Sequence, residues 1–126
     1  MSREIHTDDA PPAIGHYVQA RVVKDTLYTS GIVGQDPKGG PTPEDVAGQT
    51  KIALQNLDAI LKAANFTKHD IVRCDVYIAN MDDFKAFDNA YIEYFGDYKP
   101  CRCTVQAAKL CDPFKVEMEV IAVLSN

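Results

Sequence analysis

Arg102 is the side chain in this sequence that is best suited to bind a small anion. It follows the Pro100-Cys101 pair and shares the polar face of a predicted strand with Thr104 and Gln106. A guanidinium fork beside backbone N–H groups can bind a carboxylate through two parallel hydrogen bonds. An ion pair with an Asp or Glu of the same chain is the more common role of an isolated arginine. The residues alone leave both roles open.

Asp88 is a carboxylate in an unexpected place. It falls four residues after Phe84 and three before Tyr91, inside the apolar stripe of a predicted helix. A carboxylate that faces a core is costly unless it is paired or hydrogen-bonded. Asp88 therefore either bonds a structural partner at the edge of the stripe or faces the wall of a pocket.

The last predicted strand carries two further acids in an unusual pattern. One of its faces is apolar throughout, whereas the other begins with Glu117 and Glu119 and ends with Ile121 and Val123. Such a face is not typical of a strand surface that meets only solvent. We expect another surface, such as a second subunit, to cover it; the alternative is plain surface, where most strand glutamates lie.

The four cysteines do not form a recognisable metal site. Cys101 and Cys103 would point to one strand face, but no second Cys or His pair occurs at zinc-ligand spacing. The sequence also lacks the dinucleotide, P-loop, zinc-protease and serine-nucleophile motifs. We predict free thiols in core or half-buried positions and assign no metal ligand.

The composition is that of an ordinary globular protein. The 126 residues suffice for a single domain (1–126), with 46% hydrophobic and 25% charged residues and a formal net charge of −5. An acidic chain without a basic run argues against non-specific nucleic-acid binding. No apolar run reaches the roughly 20 residues that span a bilayer, and the N-terminus lacks the features of signal and transit peptides. We therefore expect a cytoplasmic protein.

Two amphipathic helices and five strands are predicted. The first helix spans about 43–64, with Thr42 as its N-cap and Asn65 as a left-handed cap, and the second spans about 82–95 and is ended by Gly96. The strands are predicted at about 17–23, 27–30, 71–79, 101–108 and 116–124. The order ββαβαββ indicates an α+β fold, with both helices on one face of a mixed sheet. The periodicity does not fix the order of the strands.

Short motifs in a fixed order make the whole chain resemble the RidA/YjgF family. The motifs are Ala10–Tyr17 (APPAIGHY), Thr29-Ser30-Gly31, the Asp36-Pro37 loop, Gln49, Asn56-Leu57, Asp83-Phe84, Pro100-Cys101-Arg102 and Lys115–Ala122. Each motif is short, but their order and spacing make chance a poor explanation.

The resemblance implies a chorismate-mutase-like α+β fold and a homotrimer with ligand sites in the clefts between subunits. The archetypal members hydrolyse reactive enamines and imines, such as 2-aminoacrylate, 2-iminopropanoate and 2-iminobutanoate, to 2-oxo acids and ammonia. They need no cofactor and no metal. The expected partners are therefore a small 2-imino or 2-oxo acid and further copies of the chain, with neither a membrane nor a nucleic acid.

Carried over residue by residue, the resemblance gives two residues the chemistry. Arg102 matches the family's carboxylate-binding arginine, and Glu117 matches the glutamate that orients water or assists proton transfer. The remaining ligand-contacting positions, through backbone groups or as pocket lining, are Thr104, Gly31, Tyr17 and Ser30.

The chain departs from the family at one position of this site. Asp88 stands where the family usually has Asn, and Asn89 follows it. Either the site carries an extra negative charge, or Asn89 has taken over the role. An added carboxylate near Arg102 would weaken the binding of an anionic substrate, or would raise the pKa of Glu117 by like-charge repulsion. Other departures are His16, Ile32 and Cys111.

The relation between Arg102 and Glu117 depends on strand pairing. If the last two strands form a simple hairpin, the two residues lie about five positions apart along the sheet, roughly 17 Å. A four-carbon acid cannot bridge that distance. Either the register is different, or the two groups meet across a subunit boundary.

Two other functions stay open. One is a non-catalytic regulatory trimer that binds a small carboxylate, and the other is an endoribonuclease or translation inhibitor, as attached to some relatives. Glu117 favours an enzyme, because a pure binder needs Arg102 but no acid that activates water. The acidic charge and the lack of a basic or aromatic nucleic-acid surface argue against the ribonuclease.

Overall fold

Two helices pack on one face of a seven-stranded sheet in the computed structural model, which describes residues 1–125. The helices are α1 (Val46–Ala63) and α2 (Phe84–Phe95). The strands are β1 (Ser2–Ile5), β2 (Ala20–Val23), β3 (Thr26–Thr29), β4 (Ile32–Val33), β5 (Ile71–Ile78), β6 (Cys101–Gln106) and β7 (Val116–Val123). The predicted α+β class, with two helices and a mixed sheet, is confirmed.

The start of α1 differs from its prediction. Asp45, rather than Thr42, is the N-cap, because its backbone is extended and its carboxylate accepts a hydrogen bond from the Gly48 amide at 2.9 Å. Beyond the other end of the helix, Asn65 has a φ of 64°, which is the left-handed conformation predicted for it.

The strand order corrects the predicted hairpin. The sheet runs β1-β2-β3-β7-β5-β6, with β4 also paired to β7, so that β5 separates the last two strands. β6 is parallel to β5, and β7 is antiparallel to it. The physical reason is the connection through α2: a strand–helix–strand unit brings its two strands together in parallel.

The sequence pattern also missed details of three strands. β1 escapes notice because only its last residue, Ile5, is buried, and β4 because it has two residues. A bulge in β5 between Ile71 and Arg73 turns Val72 outward, although strict alternation along the strand would place it on the core face with Cys74.

The core lies between the helices and one face of the sheet. Leu57 of α1, Phe87 of α2 and Met118 of β7 are fully buried there. The opposite face is not covered by a helix: Tyr28 and Val105 are 49% and 43% exposed. An apolar surface of this kind fits the expectation that a second copy of the chain covers it.

Candidate functional site

Arg102 is held between α2 and β6 by a short ion pair. Its Nη1 donates to Oδ1 of Asp88 at 2.6 Å, and the two side chains are 24% and 28% exposed. Asp88 lies on the same face of α2 as Phe84 and Tyr91, as the helical spacing predicts. The carboxylate in the apolar stripe is therefore satisfied by Arg102.

Three aromatic rings of α2 surround the guanidinium of Arg102. Its central carbon lies 4.7 Å from the ring centroid of Tyr91, 5.4 Å from that of Phe84 and 5.6 Å from that of Phe87. Such cation–π contacts bury the plane of the guanidinium but accept none of its N–H groups in their usual geometry. Within residues 1–125, the only hydrogen bond of this side chain goes to Asp88. The rest of the fork can bind a ligand.

Beside Arg102, backbone amides of β6 face an edge of the sheet that no strand of residues 1–125 pairs with. Ala107 donates its amide to the Ile78 carbonyl of β5 at 2.9 Å. Because the direction of N–H groups alternates along a strand, the amides of Thr104 and Arg102 point away from β5. A carboxylate bound by the arginine fork can accept a further hydrogen bond from Thr104.

Glu117 belongs to a different place, a cavity of about 330 Å³ whose lining does not include Arg102. The predicted pocket residues Tyr17, Ser30 and Gly31 line this cavity together with Glu117. The hydroxyl of Ser30 donates to the Val18 carbonyl at 2.6 Å, so this side chain fixes the loop before β4. The cavity thus brings together four of the predicted site residues.

Gly31 and the Glu117 carboxylate lie in direct contact. A Cβ atom on residue 31 would overlap Oε2 of Glu117, so the absence of a side chain is what leaves room for this carboxylate. Gly31 is exposed, and its φ is not in the left-handed region. Glycine at position 31 therefore allows the close approach of Glu117 and does not serve an unusual backbone conformation.

Replacing Gly31 by alanine is expected to displace the Glu117 carboxylate. A role of this carboxylate in a reaction then predicts a kcat about tenfold lower, because a misplaced reacting group costs orientation. The change in unfolding free energy should be less than about 1 kcal/mol, since the end of a flexible side chain can move. Steady-state kinetics and thermal melting measure the two effects. The control is Glu93→Gln, an exposed position on α2 outside this cavity. Full activity of Gly31→Ala would show that the position of the carboxylate is unimportant.

The surroundings of Glu117 make its carboxyl group harder to ionise than an exposed one. Burial, followed by the neighbouring Glu119 carboxylate, raises the pKa of Glu117 above its ordinary value. Tyr77 donates a 2.7 Å hydrogen bond to Glu119, and this bond is the largest cause that raises the pKa of Tyr77 to about 12. A glutamate with a raised pKa is suited to exchange protons with a substrate.

We expect Glu119→Gln to shift the acid limb of the pH–rate profile to lower pH. A carboxylate that acts as a base must be ionised, so activity falls as the pH drops through its pKa. Removing the like charge of Glu119 lowers the pKa of Glu117, and glutamine can still accept the hydrogen bond of Tyr77. The profile of kcat/KM against pH gives the shift. An unmoved limb, as expected for the exposed control Glu93→Gln, would contradict this coupling.

The structure does not bring Arg102 and Glu117 of one chain together. Arg102 pairs in register with Cys74, which is buried under the helices, whereas Glu117 pairs with Tyr77 on the opposite face. Their positions differ by three residues along the strands and by two strands across the sheet, roughly 10 Å in each direction. Of the two alternatives left by the sequence, the register was wrong, and the true register still separates the groups.

Asn89 lies elsewhere, on the exposed side of α2, where it lines a groove between α1 and α2 with Lys51 and Glu93. The alternative in which Asn89 replaces Asp88 beside Arg102 is not what the structure shows.

Sequence reasoning did not assign Phe114 or Cys111 to the site, although both line the cavity of Glu117. The one available signal was their closeness in sequence to Glu117.

A family profile and several known proteins match this chain. The profile of a family described as Endoribonuclease L-PSP matches residues 7–124. The chain belongs to the RidA/YjgF family. Within residues 1–125, this RidA/YjgF chain has no helix that is long and apolar enough to cross a membrane. The same residues contain no cluster of three or more His, Cys, Asp or Glu side chains that could hold a metal ion.

Several RidA/YjgF relatives match along nearly their whole length. The 2-iminobutanoate/2-iminopropanoate deaminase of Escherichia coli K12 is 38% identical over 126 aligned residues, covering 98% of both chains. A RutC family protein of Pyrococcus horikoshii is 37% identical over 123 residues, covering 97% of this chain and 98% of its own. The crystal structure of E. coli TdcF with bound serine has a TM-score of 0.94 at 36% identity, covering 98% of this chain and 99% of that one.

Proposed function

We propose that this protein hydrolyses 2-imino acids and their 2-enamine tautomers, such as 2-iminobutanoate, 2-iminopropanoate and 2-aminoacrylate, to 2-oxo acids and ammonia. The observation that supports the proposal most directly is that one chain contains two separate half-sites. One is an arginine fork with N–H groups left for a carboxylate, and the other is a cavity that holds a glutamate with a raised pKa. A relative of similar length bears the name of this deaminase.

The first half-site, formed by Arg102 and the edge of β6, binds the substrate carboxylate. The fork of Arg102 is oriented by Asp88 and by the aromatic rings of α2, so little side-chain freedom is lost when an acid binds. The outward amide of Thr104 supplies a further donor. Holding the acid in this way fixes the imino carbon relative to the protein.

The second half-site supplies water and protons. Water oriented by Glu117 attacks C2 of the iminium form, and its proton passes to the carboxylate. The same proton then goes to the nitrogen of the carbinolamine. The C2–N bond breaks as the hydroxyl group gives its proton to Glu117, a 2-oxo acid and ammonia leave, and Glu117 releases the proton to ammonia or solvent. Imine hydrolysis is already fast in water, so positioning and proton transfer suffice. The chemistry that we propose requires no cofactor.

The two half-sites are joined, in this proposal, by assembly into a homotrimer. Since Arg102 and Glu117 project from opposite faces of one sheet, one small acid can touch both only if they come from different copies. The apolar residues left exposed on the open face, such as Tyr28 and Val105, are a surface that a second copy can cover. Light scattering is expected to give three times the chain mass of 13.9 kDa. A monomer would contradict the shared site.

A coupled assay tests the activity. A pyridoxal-phosphate dehydratase acting on threonine releases 2-aminocrotonate and 2-iminobutanoate, and the appearance of 2-oxobutanoate is followed with and without this protein. Clear acceleration above the spontaneous rate is expected, and the exposed variant Glu93→Gln should accelerate as well as wild type. A rate equal to that of the spontaneous reaction would reject the proposed activity and would leave the carboxylate-binding module as the alternative.

A further inference from the structure

The ion pair between Arg102 and Asp88 changes the charge of the proposed anchor. At 2.6 Å it is a short, charge-assisted contact, and both side chains are about three-quarters buried. Within residues 1–125, Asp88 makes no other ion pair, and Arg102 makes none apart from this one. The pair is therefore close to neutral before any ligand arrives.

The surroundings of the pair are apolar rather than basic. Phe84, Phe87 and Tyr91 cover the guanidinium, and Cys74, the β5 partner of Arg102 in the strand register, is fully buried. Electrostatic interactions are stronger in such partly desolvated surroundings than in water. A carboxylate that binds the free N–H groups of Arg102 brings this neutral pair to a net charge of −1.

A ligand can compensate that charge only if it carries a positive group beside its carboxylate. A protonated 2-imino acid does so, because its iminium nitrogen is bonded to the carbon next to the carboxylate. A 2-oxo acid has a neutral carbonyl oxygen at the same place. The two molecules have nearly the same shape, so charge is the property by which Asp88 can separate them.

We propose that Asp88 is a specificity-determining residue, which makes the site prefer zwitterionic ligands, the protonated imino acids, over the 2-oxo acid anions that hydrolysis produces. The inference rests on the proposed function, since it takes Arg102 as the carboxylate anchor. Its consequence is that the charge lost with the leaving ammonia weakens the binding of the product. The negative charge of Asp88 thus strengthens the binding of the zwitterionic substrate relative to that of the anionic product.

The expected size of the preference follows from Coulomb's law. Both ligands carry the carboxylate, so the difference between them is set by the positive group of the zwitterion, which lies roughly 7–8 Å from Asp88 across the guanidinium. At an effective dielectric constant of about 30, one unit charge at that distance changes affinity about tenfold. Asn at position 88 removes the charge but keeps an oxygen that can accept the hydrogen bond of Arg102. The substitution therefore removes the charge at position 88 without losing the hydrogen bond that orients Arg102.

Calorimetric titration of the assembled protein with two matched probes tests the inference. L-2-aminobutyrate is a zwitterion and 2-oxobutanoate is an anion with the same carbon skeleton. The measured quantity is the ratio of their Kd values in wild type, Asp88→Asn and the control Glu93→Gln, which removes an exposed charge from the same helix. We expect Asp88→Asn to shift this ratio about tenfold in favour of 2-oxobutanoate, with no shift in Glu93→Gln.

Two outcomes would overturn the inference, and they are distinguishable. If both probes bind Asp88→Asn with the wild-type ratio, within twofold, Asp88 does not select charge, while the anchor and the deaminase remain. If Arg102→Ala binds both probes as tightly as wild type, the carboxylate does not bind at Arg102, and the proposed function fails with it. Thermal melting of Asp88→Asn checks that the fold is retained.

Discussion

Replacing Arg102 by alanine is expected to lower kcat/KM for 2-iminobutanoate by about 10²–10³-fold, because the substrate loses the charge-assisted hydrogen bonds that orient it. The effect should appear in KM as well as in kcat, since the same bonds hold the ground state and the transition state. Spontaneous hydrolysis of the imine sets the floor of the measurement. The coupled dehydratase assay, with that rate subtracted, gives the value.

Two further variants show whether the loss comes from the anchor or from the fold. Arg102→Lys keeps the charge but not the fork, so we expect it to retain part of the activity and to stay well below wild type. Arg102→Ala combined with Asp88→Asn removes the carboxylate left without its partner and should melt closer to wild type than Arg102→Ala alone. Wild-type kinetics in Arg102→Ala would remove Arg102 from the site.

Replacing Glu117 by glutamine should lower kcat about 10²–10³-fold and leave KM nearly unchanged, because proton transfer is lost while the carboxylate anchor is intact. Glutamine has almost the same size, so its contact with Gly31 and the shape of the cavity are preserved. The substitution also removes the acid limb of the pH–rate profile, because that limb reports the ionisation of Glu117. Initial rates over a range of substrate concentrations and pH values measure both effects.

The matched control for Glu117→Gln is Glu119→Gln. The two glutamates lie on the same face of β7, but Glu119 is hydrogen-bonded to Tyr77 and does not line the cavity. We expect Glu119→Gln to keep most of its activity at neutral pH. If Glu117→Gln keeps full activity while it binds 2-oxobutanoate normally, the reaction does not use this glutamate, and the assignment of Glu117 as the proton-transfer residue fails.

The sequence predicts which face of a helix or strand is buried, but it does not predict which strands are adjacent in the sheet. The alternation in β7 correctly predicts Val116, Met118, Val120 and Ala122 as buried, and the spacing in α2 predicts the common face of Phe84, Asp88 and Tyr91. Periodicity reports which side of an element is buried and carries no information on which strand lies next to it. The parallel pairing of β5 and β6 could have been inferred from the helix between them.

At the site, too, the sequence singles out individual residues but does not predict which residues they contact. Asp88 could be singled out because a carboxylate in an apolar stripe requires a partner, but the sequence did not identify Arg102 as that partner. The approach of Gly31 to Glu117 depends on the pairing of β4 with β7, a two-residue strand that no pattern predicts. The roles of Arg102, Glu117, Thr104 and Tyr17 in binding and catalysis stay predictions until they are measured.

We propose above all that each active site takes Arg102 from one copy of the chain and Glu117 from another. Complementation between the two inactive variants tests it most directly. Arg102→Ala and Glu117→Gln, carrying different affinity tags, are co-expressed, and mixed trimers are isolated by purification over both tags in turn. In a closed ring of three, every mixed trimer has one site with both native residues.

We predict that the doubly purified mixed trimers release 2-oxobutanoate at about one third of the wild-type rate per trimer, although each variant alone is nearly inactive. Trimers of wild type and Glu93→Gln, prepared in the same way, should have the full rate. Mixed trimers that are as inactive as the two separate variants would contradict the claim, because they would place Arg102 and Glu117 of each active site in the same chain.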